Sequence, residues 1–316
     1  MIVRHNPYSF LTGDAPFLKT KSMEISSGRF ETEVLFELHH EGAIGRPHGG
    51  IAMGLCLDAW RRYAAPEYPV DISYKFGGSG VAIGETVDFT VEHELLANSS
   101  ALIAEIVKRG EKTPYLKAII THAEADSNPI IPMIQPTGAV RKLPYYRNCF
   151  VCGHHRDVIG LKRRFRVHSH EGSSLVTTPW GSVDDDLDRA KQFKITNDEL
   201  HPAVIISIFD ENSGWSGLLA TKGVGFTVRM NVTLARPVSA TEPLLFMSRP
   251  AGTRGNPRKP RFYMAEGTVV SMLDPGSPEP VAWGRGEWLI LEELTEQLKK
   301  NLLPENDWEW IFSNDI

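Results

Sequence analysis

The sequence predicts an α+β fold built twice, as two halves that each wrap an antiparallel sheet around one long central helix. Three observations carry this expectation. The stretch Glu199–Val238, ELHPAVIISIFDENSGWSGLLATKGVGFTVRMNVTLARPV, reads as an apolar helix, a glycine break at Gly223 and Gly225, and an alternating strand. An earlier stretch, GRPHGGIAMGLCLDAWRRYAAPEYPVDISYKFGG (Gly45–Gly78), repeats the plan, with His48 aligned on His201. Each copy is followed by strand-like segments divided by turn residues, and a long helix beside such a meander buries its apolar surface under the sheet.

In chain order, residues 1–27 are mixed, and Arg29–Leu38 alternates as a strand. The loop HHEGAIGRP leads into helix Gly49–Ala64, followed by strands at Ile72–Phe76, Glu85–Leu96, Ala101–Lys108 and Tyr115–Ala123. Residues 126–148 carry Pro129, Pro132, Pro136 and Pro144 without a sustained period, and read as a linker. The halves are therefore expected at 1–125 and 149–316. The second restarts with NCFVCGHHRDVIGLKRRFRV, a turn and a strand, continued by Ser174–Thr178 and the acidic run VDDDLD. Its helix is expected to be capped by Asn197 or Asp198. In the strand Phe226–Leu234, Thr227, Arg229, Asn231 and Thr233 share the polar face. Strands Pro243–Arg249, Arg261–Met272 and Val281–Leu291 follow, then an amphipathic helix, Glu292–Leu302, and a tail, DWEWIFSNDI, expected to dock through its aromatic residues.

With 316 residues, 41% hydrophobic and 23% charged, the chain is of ordinary globular composition and long enough for two domains. A net charge of −5 offers no global attraction to nucleic acid or an anionic membrane. The start, MIVRHNPYSF, lacks the apolar core of a leader, and no run approaches a membrane span. Three cysteines are too few for a disulfide framework, which makes a reducing cytoplasm the expected compartment.

Two acids, Asp210 and Glu211, interrupt the apolar helix of the second half. Burying a carboxylate costs free energy, so these acids call for partners or a function. In the aligned first half Asp58 stands opposite Glu211 and Leu57 opposite Asp210. Asp58 sits beside Trp60-Arg61-Arg62, where a structural ion pair is the simpler role.

Four pieces in order, CFVCG…GL, the acid-bearing helix, TVRMNVTLARPV and AWGRGEWLIL, resemble the hotdog-fold acyl-CoA thioesterase superfamily, the second half being most similar to its PaaI-like branch. The resemblance implies a double hotdog. Members carry His-Gly-Gly at the helix start and an acid nine residues after that histidine. Asp210 lies nine residues after His201 within DENSGW, and His48-Gly49-Gly50 supplies the helix start in the first half. The second half departs with His201-Pro202-Ala203, and the first with Leu57 at the acid position.

The resemblance implies sites in which one half's helix start meets the other half's acid. Free N–H groups at a helix start hold a thioester carbonyl, and a carboxylate opposite attacks it or activates water. One composite site, His48, Gly49 and Gly50 with Asp210 or Glu211, is complete. The other, His201-Pro202-Ala203 with Asp58, is impaired because Pro202 has no N–H. The expected activity is acyl-CoA thioester hydrolysis, with coenzyme A arriving as part of the substrate and no separate cofactor. The alternatives are a non-catalytic acyl-CoA or small-ligand binding protein and an acyl-CoA hydratase. Against the hydratase, Asp88 and His93 have a suggestive spacing but fall in the meander after the helix. The internal pairing of halves leaves a homodimer optional.

Two further motifs have competing readings. Arg254, Arg258, Lys259 and Arg261, in TRGNPRKPR, either hold the coenzyme A phosphates or form a solvated hairpin. Cys149-x-x-Cys152 with His154 and His155 suggests zinc, but a structural site needs four ligands and no second cysteine pair is present. A tight knuckle turn with buried thiols, and no metal, is the expectation.

Overall fold

The computed structural model describes residues 17–26, 29–64, 67–96, 99–123, 140–170, 173–181, 184–195, 198–303 and 309–312. The first half consists of β1 (Lys19–Ser26), β2 (Arg29–Leu35), α1 (Gly49–Tyr63), β3 (Val70–Phe76), β4 (Thr86–Leu96), β5 (Ser99–Lys108) and β6 (Leu116–His122). The second half opens with β7 (Val140–Lys142), β8 (Tyr145–Tyr146), β9 (Arg166–His170) and β10 (Ser173–Trp180). It continues with α2 (Asp184–Phe193), α3 (Pro202–Thr221), β11 (Gly225–Leu234), β12 (Leu244–Asn256), β13 (Lys259–Ser271), β14 (Glu279–Ile290), α4 (Glu292–Asn301) and β15 (Leu302–Leu303).

The sheets of the two halves join edge to edge into one antiparallel sheet of 13 strands, ordered β1-β2-β4-β5-β6-β3-β11-β14-β13-β12-β10-β9-β7. The seam is β3 on β11, in register from Val70 opposite Leu234 to Lys75 opposite Arg229. Thr233 crosses it to donate to Asp71 Oδ1 at 2.5 Å. The alternation that marks β2, β3 and β6 in the sequence is the alternation of their buried and open faces.

Helices α1 and α3 lie against the sheet and against each other, so α1 is buried at every position from Gly50 to Trp60. Their contact is closest at Gly50, where a Cβ would stand 2.3 Å from Ser207 Cα. Only glycine admits that approach.

Two expectations are revised. The helix of the second half is capped by His201, whose Nδ1 accepts from the Ala203 N–H at 3.1 Å. Pro202 takes the first helical position, where a missing N–H costs nothing. Asp198 stays outside the helix with φ of 59°, and Asn197 lies outside the described residues. Of the expected linker, residues up to 139 also lie outside them, but 140–148 belong to the second half's fold. There β7 pairs with β9, β8 pairs with β15, and Leu143, Tyr145 and Tyr146 are buried. Within the tail, Trp310 lies under the Arg141 guanidinium at 5.0 Å and Ile311 is fully buried.

Candidate active site

The start of α1 faces the middle of α3 across a cavity of about 510 Å³ between the halves. His48, Gly49 and Arg46 line it from the first half, and Asp210, Glu211 and Thr227 from the second. The extended backbone of His48 caps α1, and its Nδ1 accepts the Gly50 N–H at 2.9 Å. Its Nε2 donates to Glu211 Oε2 at 3.1 Å. The imidazole is thus held at both nitrogens, with a proton on Nε2. Gly50 is thereby removed from the expected set of carbonyl donors, since its N–H serves His48 and its Cα packs on α3. Gly49 N–H has no hydrogen-bond partner among the described residues and remains the free donor of the helix start.

Asp210 is 6% exposed, and its Oδ1 accepts from the Thr227 hydroxyl at 2.7 Å. Its Oδ2 stands 3.8 Å from His48 Nδ1 and 2.8 Å from where a Gly49 Cβ would be. The absence of that methyl lets the carboxylate approach the helix start. Thr227 was grouped with the outward polar residues of its strand. A β-bulge between Thr227 and Arg229 reverses the alternation and turns the Thr227 hydroxyl inward, while Arg229 stays outside.

The electrostatics separate the two acids. Burial pushes the Asp210 carboxyl up, and Glu211 beside it adds to this. His48, the Thr227 hydroxyl and the Gly50 N–H offset only part, so Asp210 ends above the usual carboxylate range. Burial also opposes ionisation of Glu211, but its hydrogen bond with His48 and that ring's charge outweigh burial and hold it below that range. His48 is disfavoured as a cation by burial, yet the hydrogen bond to Glu211 and the charges around it raise its pKa overall. Proton uptake at Nδ1 would have to displace the Gly50 N–H.

The counterpart site is closed. His201 caps α3 as His48 caps α1, and its Nε2 donates to Asp58 Oδ1 at 3.0 Å. Asp58 also accepts from Arg62 at 2.9 Å, so its expected ion pair is present within this arrangement. His201 is 0% exposed, Asp58 is 2% exposed, and Leu57 stands where Asp210 stands in the other half.

Arg254, Arg258, Lys259 and Arg261 do not line the cavity. They lie exposed on the β12–β13 hairpin, with Arg254 paired to Glu287 at 2.5 Å and Lys259 paired to Glu292. Arg46, which the sequence reading passed over, is an exposed cation at the cavity, its guanidinium 5.2 Å from the centre of the Phe226 ring. Among the described residues it makes no ion pair within 4 Å, and the acid that feels its charge, Glu85, is paired with Lys108. Asp88 pairs with Arg109, and His93 meets the Tyr63 carbonyl, both away from the cavity. The knuckle turn is present, with Cys149 and Cys152 buried, and Cys149 lies beside His48 and Glu211.

No protein-family model and no curated protein matches the chain. Solved structures do. A tesB protein of Mycobacterium avium subspecies paratuberculosis is 16% identical with a TM-score of 0.53, over 85% of this chain and 96% of that one. Acyl-CoA thioesterase II TesB2 of Mycobacterium marinum is 16% identical with a TM-score of 0.51, over 85% and 94%. The dehydratase domain from the CurJ module of curacin polyketide synthase is 13% identical with a TM-score of 0.54, over 88% and 97%. The chain has the double hotdog fold that these proteins share. Among the described residues no helix is long and apolar enough to cross a membrane.

Proposed function

We propose that this chain hydrolyses an acyl-CoA thioester in the cavity between its halves. The observation that carries the reading is the Asp210 carboxylate, buried, held by Thr227 through one oxygen and presented by the other to the start of α1 at Gly49. A thioester carbonyl set against the Gly49 N–H gains the positive end of the helix for its developing oxyanion. Asp210 takes a proton from a water molecule, whose oxygen bonds to the thioester carbon. Collapse of the tetrahedral species breaks the C–S bond, and the departing thiolate receives the proton from Asp210. The upward shift of Asp210 brings its basicity nearer to what this exchange needs.

His48 and Glu211 position the helix start rather than react. Glu211 makes to His48 the contact that Asp58 makes to His201 in the closed site, where no acid stands at the Asp210 position. Arg46 is the anchor for the phosphates of coenzyme A, in place of the hairpin cations, because it stands exposed at the cavity and makes no ion pair within 4 Å among the described residues. The apolar wall, including Phe76, Leu218, Phe226 and Trp288, accommodates the acyl group. Coenzyme A enters with the substrate, so the reaction needs no separate cofactor. The free cysteines suit a reducing compartment such as the cytoplasm.

A hydratase reading draws on the dehydratase domains of the same fold. Such chemistry asks for an imidazole nitrogen open to the acyl chain, and both nitrogens of His48 are engaged. Thiol release from a panel of acyl-CoAs, run beside hydration of the matching enoyl-CoAs, tests the proposal. Hydrolysis without hydration is expected. Ligand-induced thermal stabilisation without turnover would make the protein a binder instead.

A further inference from the structure

One nitrogen of His48, the Cys149 sulfur and a carboxylate oxygen of Glu211 all lie within 4.8 Å of one another. Cys152, 2% exposed, closes the same knuckle and directs its thiol toward Cys149 and Glu211. We infer that Cys149, Cys152, His48 and Glu211 bind a thiophilic divalent metal ion of the zinc class at the seam between the halves. The inference rests on the placement of these donors and is independent of the thioesterase reading.

Near the cysteines in sequence the count of ligands falls short of four, and the fold changes that count. His154 and His155 remain excluded: His155 Nδ1 meets the Tyr145 hydroxyl at 2.5 Å, and His154 packs edge-on against the same ring. The missing two donors come from α1's cap and from α3. Around a tetrahedral zinc ion, neighbouring donor atoms stand about 3.3–3.8 Å apart. Closing His48, Cys149 and Glu211 from 4.8 Å therefore asks for movements of roughly an ångström, and Cys152, which lies outside that group of three, has to turn in from its side of the knuckle.

The knuckle brings both sulfurs onto one tight turn. The Cys152 N–H points at Cys149 Sγ at 3.4 Å, and a hydrogen bond of that kind favours the charged sulfur a metal needs. The Gly153 N–H returns to the Cys149 carbonyl at 2.9 Å. A Cβ at Gly153 would lie 2.5 Å from the carbonyl oxygens of Arg147 and Cys149, so the tight turn requires glycine. Two thiolates, an imidazole and one carboxylate form a donor set for zinc. Magnesium or calcium would require more oxygen ligands.

Coordination through His48 Nε2 requires the ring proton to pass to Nδ1. Asp210 Oδ2, 3.8 Å from Nδ1, is placed to accept that N–H after a rotation of the ring that releases the Gly50 N–H from Nδ1. A ligating histidine commonly donates its second N–H to a carboxylate in this way. The ion would tie the knuckle of the second half to the cap of α1 in the first. Existing links between these segments include the Phe150 N–H on the Glu41 carbonyl and the Tyr146 hydroxyl on the Glu41 carboxylate.

The test uses the full chain, purified reduced and without chelator, then stripped and titrated with zinc and with cobalt(II). One ion per chain is expected, together with a thiolate-to-cobalt charge-transfer absorption and a higher melting temperature in the loaded form. Cys149→Ser and Glu211→Gln should each weaken zinc binding by more than about a hundredfold, the upper end of what losing a mere neighbour of a ligand costs. The pair His154→Ala with His155→Ala should leave it unchanged. If a cysteine variant does not fold, the cobalt spectrum of the parent protein still decides. No stoichiometric binding by the reduced protein, a cobalt complex without the thiolate band, or undiminished binding in folded Cys149→Ser overturns the inference. None of these readouts involves turnover, so the outcome is separate from that of the thioesterase assay.

Discussion

Asp58 accepts the Nε2–H of His201 at 3.0 Å, buried in the composite site between the halves that is closed. The contact repeats the one between Glu211 and His48, and it shows what that contact does where no reaction is possible: it fixes the histidine that caps the opposite helix. Replacing Asp58 by Asn leaves Arg62 and His201 without their buried charge partner. Losing one member of a buried pair costs about 3 kcal/mol. Urea unfolding of Asp58→Asn should show a loss of that order while thioester turnover is retained. A variant as stable as the parent would remove the structural role assigned to Asp58.

Gly49 and Gly50 are adjacent but should fail differently as alanine. At Gly49 the new methyl meets Asp210 Oδ2 at 2.8 Å and Thr227 Oγ1 at 3.5 Å, so it displaces the carboxylate and leaves the helix contact intact. At Gly50 it meets Ser207 Cα at 2.3 Å and forces α1 and α3 apart, an overpacking that costs about 1–3 kcal/mol. Gly49→Ala should lose turnover with a near-parental melting temperature, and Gly50→Ala should lose stability first. Paired activity and melting measurements check both, and a reversed order would contradict the packing described here.

Arg46→Gln should raise KM for acyl-CoA roughly tenfold or more, the cost of losing charge-assisted hydrogen bonds. The same acyl group on pantetheine, which lacks the nucleotide phosphates, should be turned over equally by parent and variant. Arg254→Gln, which breaks the pair with Glu287 and the stacking on Phe262, both outside the cavity, should change neither. An effect confined to Arg254 would return the phosphate site to the hairpin.

His40 predicts part of the acid sensitivity. It is 0% exposed, its Nδ1 accepts the Glu37 N–H and its Nε2 donates to the Phe17 carbonyl. Burial first, then the charge of His39, lowers its pKa to about 3, against about 6.5 in the unfolded chain. Between those values the unfolded chain carries the extra proton. The contribution of His40 is therefore fully present above about pH 6.5 and is lost as the pH falls, by up to about 1.4 kcal/mol per unit. Unfolding free energies of the parent and His40→Gln should converge toward low pH, with the shallower slope in the variant. Parallel profiles would contradict this assignment.

The repeat, the two central helices and the meanders were legible because their signals are local: apolar runs, alternation and turn residues. The meeting of His48 with the acids of the second half was legible only through the repeat and the family resemblance. Thr227 was not, because one extra residue in β11 reverses its face and alternation alone places it outside. The cap at His201 was missed because Asp198 is the better capper by residue type, and the fold turns it away with a positive φ. The hairpin cations looked like a phosphate site until Glu287 and Glu292 came beside them, partners distant in sequence. Distance in sequence also hid the convergence of His48 and Glu211 on Cys149.

The central claim is that Asp210 is the working carboxylate of a single composite site. Asn at this position keeps the shape and can still meet Thr227, but it neither accepts the water proton nor returns it. Loss of a general base costs about a hundred- to ten-thousand-fold in rate. The direct measurement is kcat for thiol release by Asp210→Asn and Asp58→Asn on one acyl-CoA, with melting temperatures recorded for both. The account predicts a collapse of turnover in Asp210→Asn without loss of stability, and near-parental turnover in Asp58→Asn. Undiminished turnover in Asp210→Asn, or equal losses in the two variants, would contradict it.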